Sequence, residues 1–137
     1  MPEQGQQEQQ QMMQQYQQAQ QQLEQIQDYI EKVEDNMQEV EETKQAVGKL
    51  ENEDVGSEVL APLGSGVSAV TELQENDKVI VNIGGDTFEK RGLEEAQNIL
   101  EKRKEDLKET REELNETVQN LQEQLQNIQQ QLQQGQQ

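Results

Sequence analysis

The chain has 137 residues, a formal net charge of −18 and 30 glutamines, and it contains no cysteine, histidine or tryptophan. The missing cysteine and histidine exclude disulfides, zinc fingers and the Ser-His and Cys-His arrangements of hydrolases. The negative charge disfavours binding to nucleic acid phosphates and to anionic membrane surfaces.

Residues 4–50 are predicted to form one long coiled-coil helix, because their apolar side chains recur at alternating steps of four and three. We call these positions the seam. In this helix they are Met12, Tyr16, Ala19, Leu23, Ile26, Ile30, Val33, Met37, Val40, Lys44 and Val47, of which only Lys44 is polar. Leu, Ile, Val and Phe together number only 29, which is near the limit for disorder in a charged chain. The regular phase of the repeat argues for a helix instead.

Residues 54–91 are predicted to form two consecutive β-hairpins. Four short runs rich in β-branched residues, at 59–61, 67–73, 79–83 and 87–90, are separated by turn signals. In the third run Val79, Val81 and Ile83 lie on one face and the residues between them lie on the other, which is the period of a strand.

Residues 93–133 are predicted to form a second coiled-coil helix. One set of seam positions is apolar throughout: Leu93, Leu100, Leu107, Leu114, Leu121 and Ile128. The other set is polar at first, with Gln97, Lys104 and Arg111, and then apolar, with Val118, Leu125 and Leu132. This helix therefore has a weak seam near its start and a full one toward its end.

The predicted fold is α+β: a long antiparallel coiled-coil hairpin with two β-hairpins between its helices, in a single domain over residues 1–137. Short hairpins need a covered hydrophobic face to be stable in water. Since no further helix is available to cover them, we expect the hairpins to pair with those of other subunits. The residues expected at this contact are Val59, Leu60, Leu63, Val67, Val70, Val79, Val81, Ile83 and Phe88.

The order helix, two hairpins, helix resembles the prefoldin family, and within it the archaeal alpha type, over nearly the whole chain. Residues 59–66, Val-Leu-Ala-Pro-Leu-Gly-Ser-Gly, are similar to the first-hairpin motif of that family. Residues 78–85 look like its third strand and glycine turn, and residues 88–96 like its fourth strand entering the second helix. Alpha subunits carry two hairpins and beta subunits one, so the four strand signals point to the alpha type.

The resemblance implies an ATP-independent chaperone that holds unfolded proteins and delivers them to a group II chaperonin. It also implies a hexamer of two alpha and four beta subunits, with hairpins assembled into barrels and coiled coils projecting from them. Non-native protein would be gripped at the free ends of the coiled coils. The alternative that the sequence leaves open is a structural coiled-coil scaffold or spacer without chaperone activity.

The free ends correspond to residues 1–23 and 117–137, which we call the tip segments. Their candidate client-binding residues are Met12, Met13, Tyr16, Leu125, Ile128 and Leu132. Methionine is flexible and polarizable, which suits contacts with varied apolar sequences. For Met12 and Tyr16, which are seam residues, packing within the coiled coil is the competing interpretation, and for Met13, beside the seam, both interpretations stay open. Leu125, Ile128 and Leu132 are also seam residues, and at a fraying end packing and client binding are not exclusive. The tip segments carry only three charges, all acidic, whereas the other 93 residues carry a net charge of −15.

The sequence predicts no catalytic residue, cofactor or metal site. The pattern Gly-x-Gly-x-x-Ala at residues 64–69 matches a relaxed dinucleotide motif, but the residues after it have the period of a strand, so a hairpin turn is predicted. The paired acidic residues on the helices lack the spacing of a calcium loop and indicate solvated helix faces. No targeting or membrane-spanning segment is visible, and we expect a cytoplasmic protein.

Overall fold

A computed structural model of the chain describes the backbone of residues 2–134 and the side chains from residue 5 onward. Helix α1 spans Pro2–Lys49 and is followed by a 3₁₀ turn at Leu50–Asn52. The strands are β1 (Glu58–Gly64), β2 (Val67–Glu72), β3 (Lys78–Gly84) and β4 (Thr87–Gly92), and helix α2 spans Leu93–Gln134. The predicted α+β fold, with two hairpins between two long helices, is confirmed.

The chain forms two compact units, and both helices contribute residues to each. The first unit contains α1 up to Asn36 and α2 from Asp106. Every predicted seam residue in this unit is buried or half-buried, and its most buried residues are Ala19, Val33, Leu121 and Ile128. The seam prediction is confirmed here, because the residues between the seam positions are mostly exposed.

The second unit contains residues 37–105, with both hairpins and the adjoining ends of the two helices. Its small core consists of Val81, Ala96 and Leu100. The polar seam residues Lys44, Gln97 and Lys104 are half-buried, as their positions in the heptads require.

Each hairpin is an antiparallel pair of its own. In hairpin 1, formed by β1 and β2, Leu60 lies opposite Val70; in hairpin 2, formed by β3 and β4, Val81 lies opposite Glu89. Gly66 in the first turn has a φ of +80°, a left-handed conformation that favours glycine. Strand β2 follows directly, so the glycine pattern is a hairpin turn and not a dinucleotide loop.

Side-chain contacts join the hairpins to the rest of the second unit. Arg103 on α2 donates a hydrogen bond to the carbonyl of Asn82 on β3. Asn76, between the hairpins, donates a 2.9 Å bond to the carbonyl of Glu53. An ion pair of 2.9 Å joins Lys90 on β4 to Glu75 in the same connection. Two of these contacts hold hairpin 2, and the third joins the connection between the hairpins to the segment that follows α1.

Candidate functional site

The tip segment of α1 places its apolar side chains in two different environments. Met12 and Tyr16 occupy seam positions and are half-buried. Met13 lies one residue past a seam position, and 47% of its surface is exposed. Because successive helical residues are about 100° apart, one methionine contributes to the seam and its neighbour faces water.

The apolar side chains in the tip segment of α2 are less exposed than Met13. Leu125 and Leu132 are half-buried, and Ile128 is only 7% exposed. Ile128 therefore packs in the seam, and contact with another protein would require this end of the coiled coil to open. The other five candidate residues keep surface in contact with solvent.

A groove brings together the two ends of the helices in the first unit. It has a volume of about 560 Å³. Its lining residues are Gly5, Gln6, Glu8, Gln9, Met12, Gln131 and Gln134. The antiparallel pairing thus brings Met12 of one tip segment beside glutamines of the other.

Two further grooves are also lined mainly by glutamine. One, of about 570 Å³, lies along α1 and is lined by Gln6, Gln9, Gln10, Met13 and Gln14. The other, of about 260 Å³, is lined by Gln15, Gln18, Ala19, Gln22 and Gln124. Within the described tip segments, residues 5–23 and 117–134, 21 of the 37 residues are glutamine and only Glu8 and Glu123 are charged. The surface is therefore nearly neutral, polar and interrupted by apolar side chains.

Both hairpins present an apolar face to solvent. On hairpin 1, Leu60 and Val70 lie opposite each other and are 65% and 69% exposed. On hairpin 2, Ile80 and Phe88 lie diagonally across the pair on one face, and both are exposed. We call these the open faces. Such paired apolar side chains on strands are typical of a surface that another protein covers.

The predicted hairpin residues divide between the open faces, the turns and the covered side. Leu60, Val70 and Phe88 lie on the open faces, and Leu63, Val67 and Ile83 are exposed near the turns. Val59 and Val79 are half-buried, and Val81, 9% exposed, belongs to the core of the chain itself.

Ile80 is exposed on an open face, and the sequence analysis missed it. It alternates with Lys78 and Asn82, so its face looked polar from the sequence. Phe88 lies diagonally across from it on the same face, and this placement depends on the register of β3 and β4.

Two ion pairs cross between the helices within the second unit. The Lys44 ammonium lies 2.9 Å from the Glu101 carboxylate, and the Lys104 ammonium lies 3.0 Å from that of Glu41. The hydrogen bond from Lys104 lowers the pKa of Glu41, and the bond to Glu101 raises the pKa of Lys44. The polar stretch of the seam is therefore held by paired charges, which stabilise the antiparallel arrangement in this unit.

Neither a metal-binding cluster nor a membrane span is present in the described part of the chain. Among the side chains of residues 5–134, no three carboxylates come close enough together to hold a metal ion. Neither long helix, over residues 2–134, contains an apolar stretch that could cross a membrane.

Comparison with known sequences gives two kinds of match. The family described as "Prefoldin subunit" matches residues 19–137. A prefoldin subunit alpha of Methanothrix thermoacetophila is 39% identical over 59 residues, which is 43% of this chain and 39% of the relative. A prefoldin subunit alpha of Halorubrum lacusprofundi is 33% identical over 60 residues, 44% of this chain and 40% of the relative. The chain thus matches about two fifths of the length of each of these archaeal alpha subunits.

Comparison with solved structures supports the fold. A chain from the cryo-EM structure of filamentous PFD from Methanocaldococcus jannaschii superposes with a TM-score of 0.73. The match covers 86% of this chain and 95% of the other, at 19% sequence identity. At this identity the likeness concerns the fold alone.

Proposed function

Because the chain belongs to the prefoldin family, we propose that it is a chaperone subunit that holds non-native proteins without ATP and passes them to a group II chaperonin. The observation that carries this proposal is the composition of the grooves in the tip segments. They combine accessible methionine with neutral polar side chains and hold no cluster of charge. A surface of this kind suits weak contacts with many unrelated apolar segments.

We further propose that capture depends on several subunits acting together. Only two of the three grooves contain a methionine, and each of these offers a single one, so a single arm would bind weakly. Several arms on one assembly raise the effective concentration of binding sites, and the avidity then exceeds the affinity of any one arm. This is why assembly through the hairpins belongs to the same proposal.

The partners proposed for the open faces are the hairpins of other prefoldin subunits, two alpha and four beta in a hexamer. Leu60 and Val70 on one hairpin, and Ile80 and Phe88 on the other, leave large apolar side chains in water in the isolated chain. Covering them would stabilise the assembly by roughly 25 cal/mol for each Å² removed from water. The proposed location is the cytoplasm, and no catalytic step is assigned to the chain.

A scaffold or spacer without chaperone activity is the second candidate. The burial of Ile128 favours it, because this tip residue already packs within the chain. Under this alternative the open faces would still mediate assembly, but the tip segments would bind nothing.

A holdase assay separates the two candidates. A chemically unfolded enzyme is diluted into buffer with or without the assembled complex, and light scattering is followed over time. The chaperone proposal expects scattering to be suppressed when the complex is in excess and no ATP is present. Scattering that rises as fast as without the complex would support the scaffold.

A further inference from the structure

One face of α1 in the tip segment carries a regular row of side-chain amides. Gln6, Gln10 and Gln14 follow one another at intervals of four residues and line the same groove as Met13. All three are exposed. Residues four apart on a helix are neighbours along its surface, with Cβ atoms about 5–6 Å apart. The groove therefore has a row of polar amides along its length and one apolar side chain, Met13, beside that row.

Resting on the proposed chaperone function, we propose that this amide row recognises the main chain of extended, uncharged segments of non-native protein. A glutamine amide offers two N–H donors and a carbonyl acceptor, which match the N–H and C=O groups that each peptide unit of an unfolded chain exposes to water. In an extended chain, groups that point the same way recur every two residues, or about 6.6 Å. Four residues of helix rise about 6 Å, so successive amides can meet successive peptide groups.

Met13 gives the same segment a second kind of contact. Side chains of an extended segment alternate between its two sides. While the main chain meets the amide row, apolar side chains on one side of the segment can pack on the exposed thioether of Met13. Thioethers adapt to aliphatic and aromatic partners alike. The preferred ligand is thus an extended segment in which apolar residues alternate with uncharged polar ones.

The charge distribution explains why the segment should be uncharged. Within residues 5–23 only Glu8 is charged, so the grooves provide almost no counter-charge for a lysine or a glutamate of the client. Moving such a charge out of water without a partner is unfavourable. Because neutral groups make the contacts, the affinity should also depend little on ionic strength.

The test uses peptides and the full chain in its assembled complex. Three fluorescent peptides share the same alternating apolar residues and carry glutamine, glutamate or lysine between them. Dissociation constants are measured by anisotropy at about 0.05 and 0.5 M NaCl, conditions in which screening of charge differs strongly. The same complex is assayed in parallel for suppression of aggregation of a chemically unfolded enzyme.

The variant Gln10→Ala/Gln14→Ala removes two amides while keeping residues with high helix propensity. Its control, Gln25→Ala/Gln27→Ala, changes two exposed glutamines of the same helix outside the tip segment. The uncharged peptide should bind tightest, and its Kd should change less than about twofold with salt. Gln10→Ala/Gln14→Ala should raise the Kd of the uncharged peptide about fivefold or more, which is the effect expected from losing the hydrogen bonds of two amides. The control variant should leave this Kd unchanged.

Three outcomes would overturn the inference. A charged peptide that binds tightest would contradict the preference for uncharged segments, and steep salt dependence would indicate ionic contacts instead. Equal binding by the two double variants would remove the role of the amide row. If these occur while the complex still suppresses aggregation, the chaperone proposal stands without this inference. If the complex neither binds peptide nor suppresses aggregation, both fail.

Discussion

Lys44 lies in the seam of α1 with its ammonium 2.9 Å from the Glu101 carboxylate on α2, and its own carbonyl accepts a 3.2 Å hydrogen bond from Gln97. One residue is thus joined to two positions on the opposite helix, four residues apart. A second ion pair, between Glu41 on α1 and Lys104 on α2, is consistent with the same alignment of the two helices. These polar contacts favour one alignment of the helices within residues 37–105, where the seam of α2 has few apolar side chains.

Reversing one charge of the ion pair between Lys44 and Glu101 should destabilise the chain, and reversing both charges should restore the stability. Lys44→Glu places a third carboxylate near Glu41 and Glu101, so we expect the melting temperature to fall by several degrees. The double variant Lys44→Glu/Glu101→Lys should recover most of the loss. Thermal unfolding followed by circular dichroism measures both, at fixed protein concentration. A double variant no more stable than the single one would contradict the proposed pairing.

The ion pair of Glu41 predicts a specific pH dependence. The pKa of Glu41 is lowered in the folded chain, so its contribution to stability is present above the unfolded pKa and lost as the pH falls through the folded one. Glu41→Gln should therefore lower the melting temperature at neutral pH and become equal to the unmodified protein in strong acid. Melting curves from pH 7 to about pH 3 test this.

The matched control for that experiment is Glu39→Gln. Glu39 lies on the same helix and is exposed, and its carboxylate makes no ion pair within the described side chains. The melting temperature of Glu39→Gln should differ little from that of the unmodified protein at every pH. An equal effect of both substitutions would attribute the pH dependence to general charge repulsion and not to the pair with Lys104.

Gly48 and Gln97 should show coupled effects on stability. A Cβ atom at position 48 would lie 2.5 Å from the side-chain nitrogen of Gln97, which would have to move and give up its bond to Lys44. Alanine gains up to about 1 kcal/mol over glycine in a helix. Gly48→Ala should show the full gain in the free energy of unfolding when Gln97 is also alanine. With Gln97 in place, the gain should be about half of that or less. Urea unfolding of the four-variant cycle measures the coupling, and strict additivity would contradict it.

Substitutions on the two sides of the hairpins should have different consequences. Leu60→Asp places a carboxylate on an open face, so it should leave the subunit folded and prevent assembly. Val81→Asp buries a carboxylate in the core of the chain, so it should reduce the folded content as well. Mass photometry and circular dichroism separate the two effects. A Leu60→Asp protein with the mass of the unmodified assembly would rule out the open face as the contact.

The sequence predicted the coiled-coil seam well because heptad spacing depends only on local periodicity. The spacing puts even the polar Lys44 in the seam, and this side chain is half-buried. The spacing does not identify the partner of Lys44, because Glu101 lies outside the heptad seam positions of α2. Pairings between helices depend on their relative register, which a periodic pattern leaves undetermined.

The hairpins were predictable as strands but not as oriented surfaces. Alternation placed Val79, Val81 and Ile83 on one face, yet it does not say which face the chain itself covers. In the folded chain Val81 is buried and Ile80 is exposed, and Arg103 of α2 bonds to the carbonyl of the neighbouring Asn82. Likewise the heptad pattern indicates the apolar tip residues, whereas the glutamine-lined grooves depend on the arrangement of the helices in space.

Site-specific photo-crosslinking can show whether non-native protein is captured at the tip segments. A photoreactive residue replaces Met13 in one variant and Tyr29 in a matched control, and each assembled complex is irradiated with a chemically unfolded enzyme. Tyr29 is also apolar and exposed on α1, but it lies outside the tip segments. We expect strong crosslinks to the enzyme from position 13 and few from position 29. Equal yields at both positions, or none at position 13, would contradict it.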